Sequence, residues 1–205
     1  LFPSVSLPAL SEKDIAAFKI GLENNIRDFA LSFANSANDV LEVRAIVGDD
    51  ANIISKIESK KGVLNLDNIL EVTDSILIDR GDLSREVQLE NIPFLQKMII
   101  KKGNAFNKNV YVATNLLESM MVNGNPTRAE LNDVINTLID GANGLVLAAE
   151  TAIGKHPVAA VDILRSLIAR YTNSLSGYHI EELLEHQSFL LPDMHGSEKE
   201  KKKVA

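Results

Sequence analysis

The sequence predicts an α/β fold, a parallel (β/α) barrel of the TIM type that is incomplete, with about five of the eight strand and helix units that such a barrel needs. Three observations carry this prediction. Short apolar runs alternate with longer amphipathic stretches along the chain, the pattern of strands joined by helical crossovers and hence of a parallel sheet. Polar residues gather at the C-terminal end of nearly every run: Lys56 and Glu58, Arg80 and Asp82, Thr114, then Glu150 and Thr151. That is the end at which a barrel builds its active site. No glycine-rich loop follows the first run, so the doubly wound alternative lacks its usual dinucleotide signature.

The elements follow in order. Ser11 reads as an N-cap ahead of Glu12, Lys13 and Asp14, and Ile15, Phe18, Ile20 and Leu22 then give a roughly helical apolar pattern to about Asn24. Strands are expected over residues 29–33, 53–57, 75–78, 110–113 and 144–147, and helices over 37–47, 65–72, 92–106, 129–140 and 158–171. These units make one expected domain, residues 1–175. Residues 176–205 read as a C-terminal tail, with a short helix over 178–186 and a flexible charge run over 198–203. Three barrel units are missing, and the first and last parallel strands would stand as open edges. More chain, a partner subunit or a swapped element is therefore expected to complete the sheet, in a homo-oligomer or in a longer chain.

Composition narrows the classes of function. With 205 residues, 45% hydrophobic and 24% charged, the chain can bury one sizeable core. A net charge of −7 gives nucleic acid or an anionic membrane nothing to hold, so any bound phosphate must rely on local donors. Small molecules or proteins are the expected partners. The absence of cysteine removes disulfides, thiolate metal sites and cysteine nucleophiles together, and fits a cytoplasmic location. The apolar runs, such as 144–149, are too short to span a bilayer, and no basic-then-apolar leader is visible. The chain opens on Leu1 rather than Met, so the natural N-terminus is expected to lie upstream.

Lys56 and Glu58 stand two apart on an expected strand, so both side chains leave from the same face. Such a pair is often an ordinary solvated face, but the flanking Ile53, Ile54, Ser55 and Ile57 argue for a strand buried on both sides. Asp82, after Gly81, puts a second carboxylate in the next loop around the rim. Two carboxylates on adjacent strands suit Mg²⁺, which prefers oxygen ligands. Gly81 lets the backbone approach a ligand closely, and a helical turn starting there would aim N–H groups at an anion. The simpler reading of Gly81 and Asp82 is a turn and its cap.

These residues also carry a resemblance. Ile53, Ile54, Ser55, Lys56, Ile57 and Glu58, with Gly62 and Val63 shortly after, resemble the active-site signature of the pyruvate kinases. Arg80, Gly81, Asp82 and Leu83 resemble that family's metal loop, and Ala113, Thr114, Leu117, Glu118, Ser119 and Met120 its next strand end. Pro126 with Thr127, Arg128, Ala129 and Glu130, then Asp140, Gly141 and Ala142, then Glu150 and Thr151, continue in family order. So does the opening from Leu7, Pro8 and Ala9 to Ser11, Glu12, Lys13 and Asp14. The resemblance covers residues 7–170 and implies strands four to eight of the catalytic barrel.

The resemblance implies Mg²⁺-dependent phosphoryl transfer between phosphoenolpyruvate and ADP, giving pyruvate and ATP. Glu58 and Asp82 would hold the metal, Lys56 would neutralise the phosphoryl group in flight, and Thr114 would assist protonation of the enolate carbon. The amides of Gly81 and Asp82 would bind the substrate carboxylate. Glu118, Arg128 and Glu130 are expected in the scaffold. The family's early strands, which help bind phosphate and potassium, have no counterpart here, so no potassium site is expected in this chain. Asn115 stands in place of Gln, Ala149 of Gly, Lys61 of an acidic residue or His, and Asn35 of Arg. Two other readings remain. One is a non-catalytic module for oligomerisation or regulation in a larger protein, with a fused sulfurylase implied by Leu191, Pro192, Asp193, Met194, His195 and Gly196, which faintly resemble the opening of an ATP sulfurylase. The other is a metal-enolate lyase, which has little need of Lys56. His156 is expected in a loop, and His179, His186 and His195 are too scattered to form a metal set.

Overall fold

The computed structural model describes residues 8–175 and Gly177. Helix α1 (Glu12–Glu23) leads to β1 (Asp28–Leu31), α2 (Ala37–Val47), β2 (Asn52–Ile57), α3 (Lys60–Leu64), α4 (Leu66–Val72) and β3 (Ser75–Asp79). Then come the single turn α5 (Arg80–Leu83), α6 (Ile92–Ala105), β4 (Asn109–Ala113), α7 (Arg128–Ile139), β5 (Gly144–Val146), a second single turn α8 (Ala149–Ala152) and α9 (Pro157–Ser174). The five strands are parallel and stand in chain order from β1 to β5. That order, with no switch point, is an arc of a β/α barrel rather than a doubly wound sheet.

Local sequence sets the boundaries. Ser11, Ser36 and Thr127 close capping boxes with Asp14, Asp39 and Glu130, which start α1, α2 and α7. Proline within the first turn opens α6 and α9, where a missing N–H is harmless. Strand β1 stops at Leu31 rather than at residue 33, because Phe33 takes a φ of 50° that an extended strand cannot continue through. Strand β3 runs one residue beyond the expected 75–78, to Asp79, and β5 ends one residue short of the expected 147.

The core lies mainly between the sheet and its helices. Ile53, Ile57, Ile76, Ile78, Val110 and Val112 pack with Val40 and Val43 of α2, Ile69 and Leu70 of α4, and Ile99 and Ile100 of α6. A second cluster, including Leu116, Leu117, Met120, Val134 and Leu164, sits behind the end of β4. Along β2 the face bearing Ile53, Ser55 and Ile57 is buried, whereas the face bearing Asn52, Ile54 and Lys56 is half-buried. The half-buried face carries the polar site. Among the described residues, no helix is long and apolar enough to cross a membrane. Leu7, the expected helix over 178–186, the charge run, His179, His186, His195 and the 191–196 segment lie outside the described residues.

Candidate active site

Register decides which side chains meet. Lys56 stands beside Leu77, and Leu77 beside Tyr111, so these three form one row across the sheet. Alternation puts Asp79 and its neighbour Ala113 two residues further on, in the next row toward the C-terminal end. Glu58, one residue past the end of β2, continues that row. The Lys56 stem spans the step between rows: its Nζ lies 2.5 Å from Glu58 Oε1 and 3.3 Å from Asp79 Oδ2. Glu58 is 1% exposed, and its Oε2 accepts the Phe33 N–H at 2.6 Å.

Asp79 also starts α5. Its Oδ1 accepts the Asp82 N–H at 3.4 Å, which folds the chain back so that Asp82 returns to the site. Glu58, Asp79 and Asp82 each present a carboxylate oxygen, and these oxygens lie within 4.8 Å of one another. The donor set holds no imidazole or thiolate. Three carboxylates in a small volume fit a hard divalent ion such as Mg²⁺, whose chemistry favours oxygen ligands. Burial by itself works against the Lys56 charge, but the hydrogen bond and charge of Glu58, with Asp79 behind them, outweigh it and raise Lys56 above the ordinary lysine value. Lys56 is therefore an ammonium at neutral pH.

Thr114 follows β4 with a φ of 70°, and Asn115 follows it at 53°. A β-branched residue in the left-handed region is strained, and such strain persists only where the surroundings fix it. Arg80 fixes it here. Its Nε and one terminal nitrogen donate to the Thr114 carbonyl at 3.1 and 2.6 Å, while the other terminal nitrogen reaches Asp133 at 2.7 Å and Gln96 at 3.3 Å. Held in this way, the Thr114 hydroxyl accepts the Gly81 N–H at 2.9 Å and lies 3.3 Å from Asp79 Oδ1 and 2.6 Å from the Ala113 carbonyl.

The structure thus brings Lys56, Glu58, Gly81, Asp82 and Thr114 together, and adds Asp79, which the sequence reading missed. It also departs from that reading at the two loop amides. Gly81 N–H is bonded to Thr114 and Asp82 N–H to Asp79, so neither stands open for an anion. Arg80 and Glu150, read as polar rim residues, turn into the scaffold instead. Glu150 is 2% exposed and accepts the N–H groups of Leu117 and Ala148, bracing the ends of β4 and β5. Glu130 accepts from Ser119 and Thr127; burial would raise its carboxyl, but these bonds prevail and hold it below the usual range. Glu118 accepts from the Asn115 amide at 2.6 Å, Arg128 is exposed, and His156 lies 3.2 Å from the Val122 carbonyl.

A Cβ at Gly81 would lie 3.5 Å from both Asp79 Oδ1 and Thr114 Oγ1, ordinary contact distances. Gly81→Ala is accordingly expected to fold with a stability within about 1 kcal/mol of the parent, since alanine also favours the helical turn. It should weaken any anion that approaches the Gly81 amide. Thermal melts and anion titrations of the variant check both halves, and a collapse in melting temperature would contradict the contact geometry.

A family model for the barrel domain of pyruvate kinase matches residues 2–161. The chain belongs to the pyruvate kinase family. It is 51% identical over 166 residues to a pyruvate kinase of Dictyostelium discoideum, covering 80% of this chain and 33% of that protein. Similarity to the Candida albicans pyruvate kinase is 48% over 165 residues, covering 79% of this chain and 33% of the relative. With the Bacillus licheniformis pyruvate kinase it is 41% over 191 residues, covering 91% and 31%. The chain spans about a third of the length of the curated relatives it matches. Its five parallel strands and flanking helices are part of a pyruvate kinase barrel, incomplete in this chain.

Proposed function

We propose that this chain carries the metal and enolate half of a pyruvate kinase active site and takes part in Mg²⁺-dependent phosphoryl transfer between phosphoenolpyruvate and ADP. The observation that carries the reading is the meeting of one ammonium, Lys56, with Glu58, Asp79 and Asp82 at the C-terminal ends of two adjacent strands, β2 and β3. A divalent ion bound there would supply charge neutralisation for substrate oxygens. Lys56 stays charged and sits beside the carboxylates, so its role is to neutralise the transferred group in flight, the dominant kind of assistance in phosphoryl transfer. The Thr114 backbone is held by Arg80 through its carbonyl, and its hydroxyl serves at the enolate carbon. The Gly81 and Asp82 amides would receive the substrate carboxylate in exchange for their present partners, Thr114 and Asp79.

The remaining barrel strands, with the groups for nucleotide and potassium, come from chain beyond this sequence or from a partner subunit, and a homo-oligomeric, cytoplasmic assembly fits this reading. The lyase alternative loses ground because Lys56 is tied to both Glu58 and Asp79 rather than pointing to solvent. The test is pyruvate formation from phosphoenolpyruvate and ADP with Mg²⁺ and potassium. Lys56→Ala is expected to lower turnover by about a thousandfold, and Asp82→Ala to lose Mg²⁺ uptake in a metal titration. No turnover in the parent, with identical Mg²⁺ uptake by the parent and Asp82→Ala, would instead support a non-catalytic module.

A further inference from the structure

Three of the donors that this reading gives to an anionic substrate already share one partner, and it is a single side chain of the protein. Asp79 Oδ1 lies 3.3 Å from the Thr114 hydroxyl and 3.4 Å from the Asp82 N–H, while Oδ2 lies 3.3 Å from the Lys56 ammonium. Asp79 is 8% exposed, and its Oδ1 lies against the Gly81 turn, 3.5 Å from where a Cβ would stand. A hydroxyl, an amide and an ammonium, from three separate elements, therefore converge on one carboxylate. We propose that Asp79 is a specificity-determining residue that stands in the place of a substrate carboxylate and sets the site against free anions, so that a carboxylate ligand enters only by displacing it. The inference rests on the reading of Lys56, Thr114 and the Gly81 and Asp82 loop as substrate donors.

The contacts make displacement feasible. All three are at the long end of the hydrogen-bond range, so Asp79 is held by several weak bonds rather than by one strong one. Its backbone is fixed at the end of β3, beside Ala113 of β4, and its side chain is short, so a displaced carboxylate stays within the site. There it finds Glu58 and Asp82, with which it shares the small volume that suits a divalent ion. An incoming anion meets three carboxylates against one ammonium, and such like-charge juxtaposition disfavours binding. Removing the Asp79 charge lifts that repulsion and loosens its hold on Lys56, and removing the whole side chain also takes the acceptor from the Thr114 hydroxyl and the Asp82 N–H.

The test is calorimetric titration of the full chain with oxalate, a small dicarboxylate, in the presence of Mg²⁺. Asp79→Ala removes the internal anion, and Asp79→Asn removes its charge while keeping its shape and an oxygen to cap α5. Both variants are expected to bind oxalate about tenfold or more tightly than the parent, and Lys56→Ala added to Asp79→Asn should abolish the gain. A merely structural role would lower the melting temperature without raising affinity. Unchanged or weaker oxalate binding by Asp79→Asn overturns the proposal and leaves the active-site reading standing. A gain that survives Lys56→Ala puts the anion elsewhere and overturns both.

Discussion

Arg80→Ala is expected to destabilise the fold by about 3 kcal/mol, or roughly 10 °C in melting temperature, more than any exposed charge on the molecule. The side chain is 10% exposed and satisfies the Thr114 carbonyl twice, with Gln96 and Asp133 on its other branch. The Asp133 pair contributes little by itself, because that carboxylate is 37% exposed and water screens it. Most of the loss comes from the unpaired carbonyl and the space left behind, and release of the strained Thr114 backbone offsets a small part of it. Arg80→Lys should recover only part of the loss, since a single ammonium cannot fork between the carbonyl and the second branch. Chemical denaturation of the two variants reads this directly, and melting of Arg80→Ala within a couple of degrees of the parent would remove Arg80 from its assigned place.

The second large effect is expected at Glu58. Glu58→Gln replaces an oxygen that accepts with a nitrogen that cannot, so either the Phe33 N–H or the Lys56 ammonium loses its acceptor. A loss of about 2 kcal/mol is expected; Lys56 is 22% exposed and can turn to water, which keeps the figure below that of a sealed ion pair. The same change should abolish high-affinity divalent-ion uptake, followed by the electron paramagnetic resonance of free Mn²⁺. Glu58→Asp, which retains the charge on a shorter stem, is expected to bind the ion weakly. Equal Mn²⁺ uptake by the parent and Glu58→Gln would take Glu58 out of the metal cradle.

Much of this arrangement was legible in the residues themselves. The apolar runs at Ile53, Ile76, Val110 and Leu145 marked four strands, and the serine cap at Ser11 marked a helix start, because both signals are local. Asp79 was missed for a physical reason. The apolar run ends at Ile78, and nothing in composition says that the backbone stays extended for one more residue, yet that residue falls on the same face as Leu77 and so enters the site. Arg80 was visible as a polar residue at a strand end, but its direction depends on Gln96 and Asp133, which are brought to it only by packing of α6 and α7. The short helices α3 and α8 escaped because four or five residues are too few for a helical period to register. Phe33 and Thr114 gave no warning of their left-handed backbones, since neither is glycine or asparagine.

The chain-order sheet has a bearing on biosynthesis. Among the described residues each strand pairs only with the strand made just before or just after it, so none of these ladders has to wait for a remote segment to leave the ribosome. A nascent chain can extend the arc one unit at a time, each closing only a modest loop. The acidic cradle falls within residues 58–82, and its three carboxylates can be in position while β5 is still being translated.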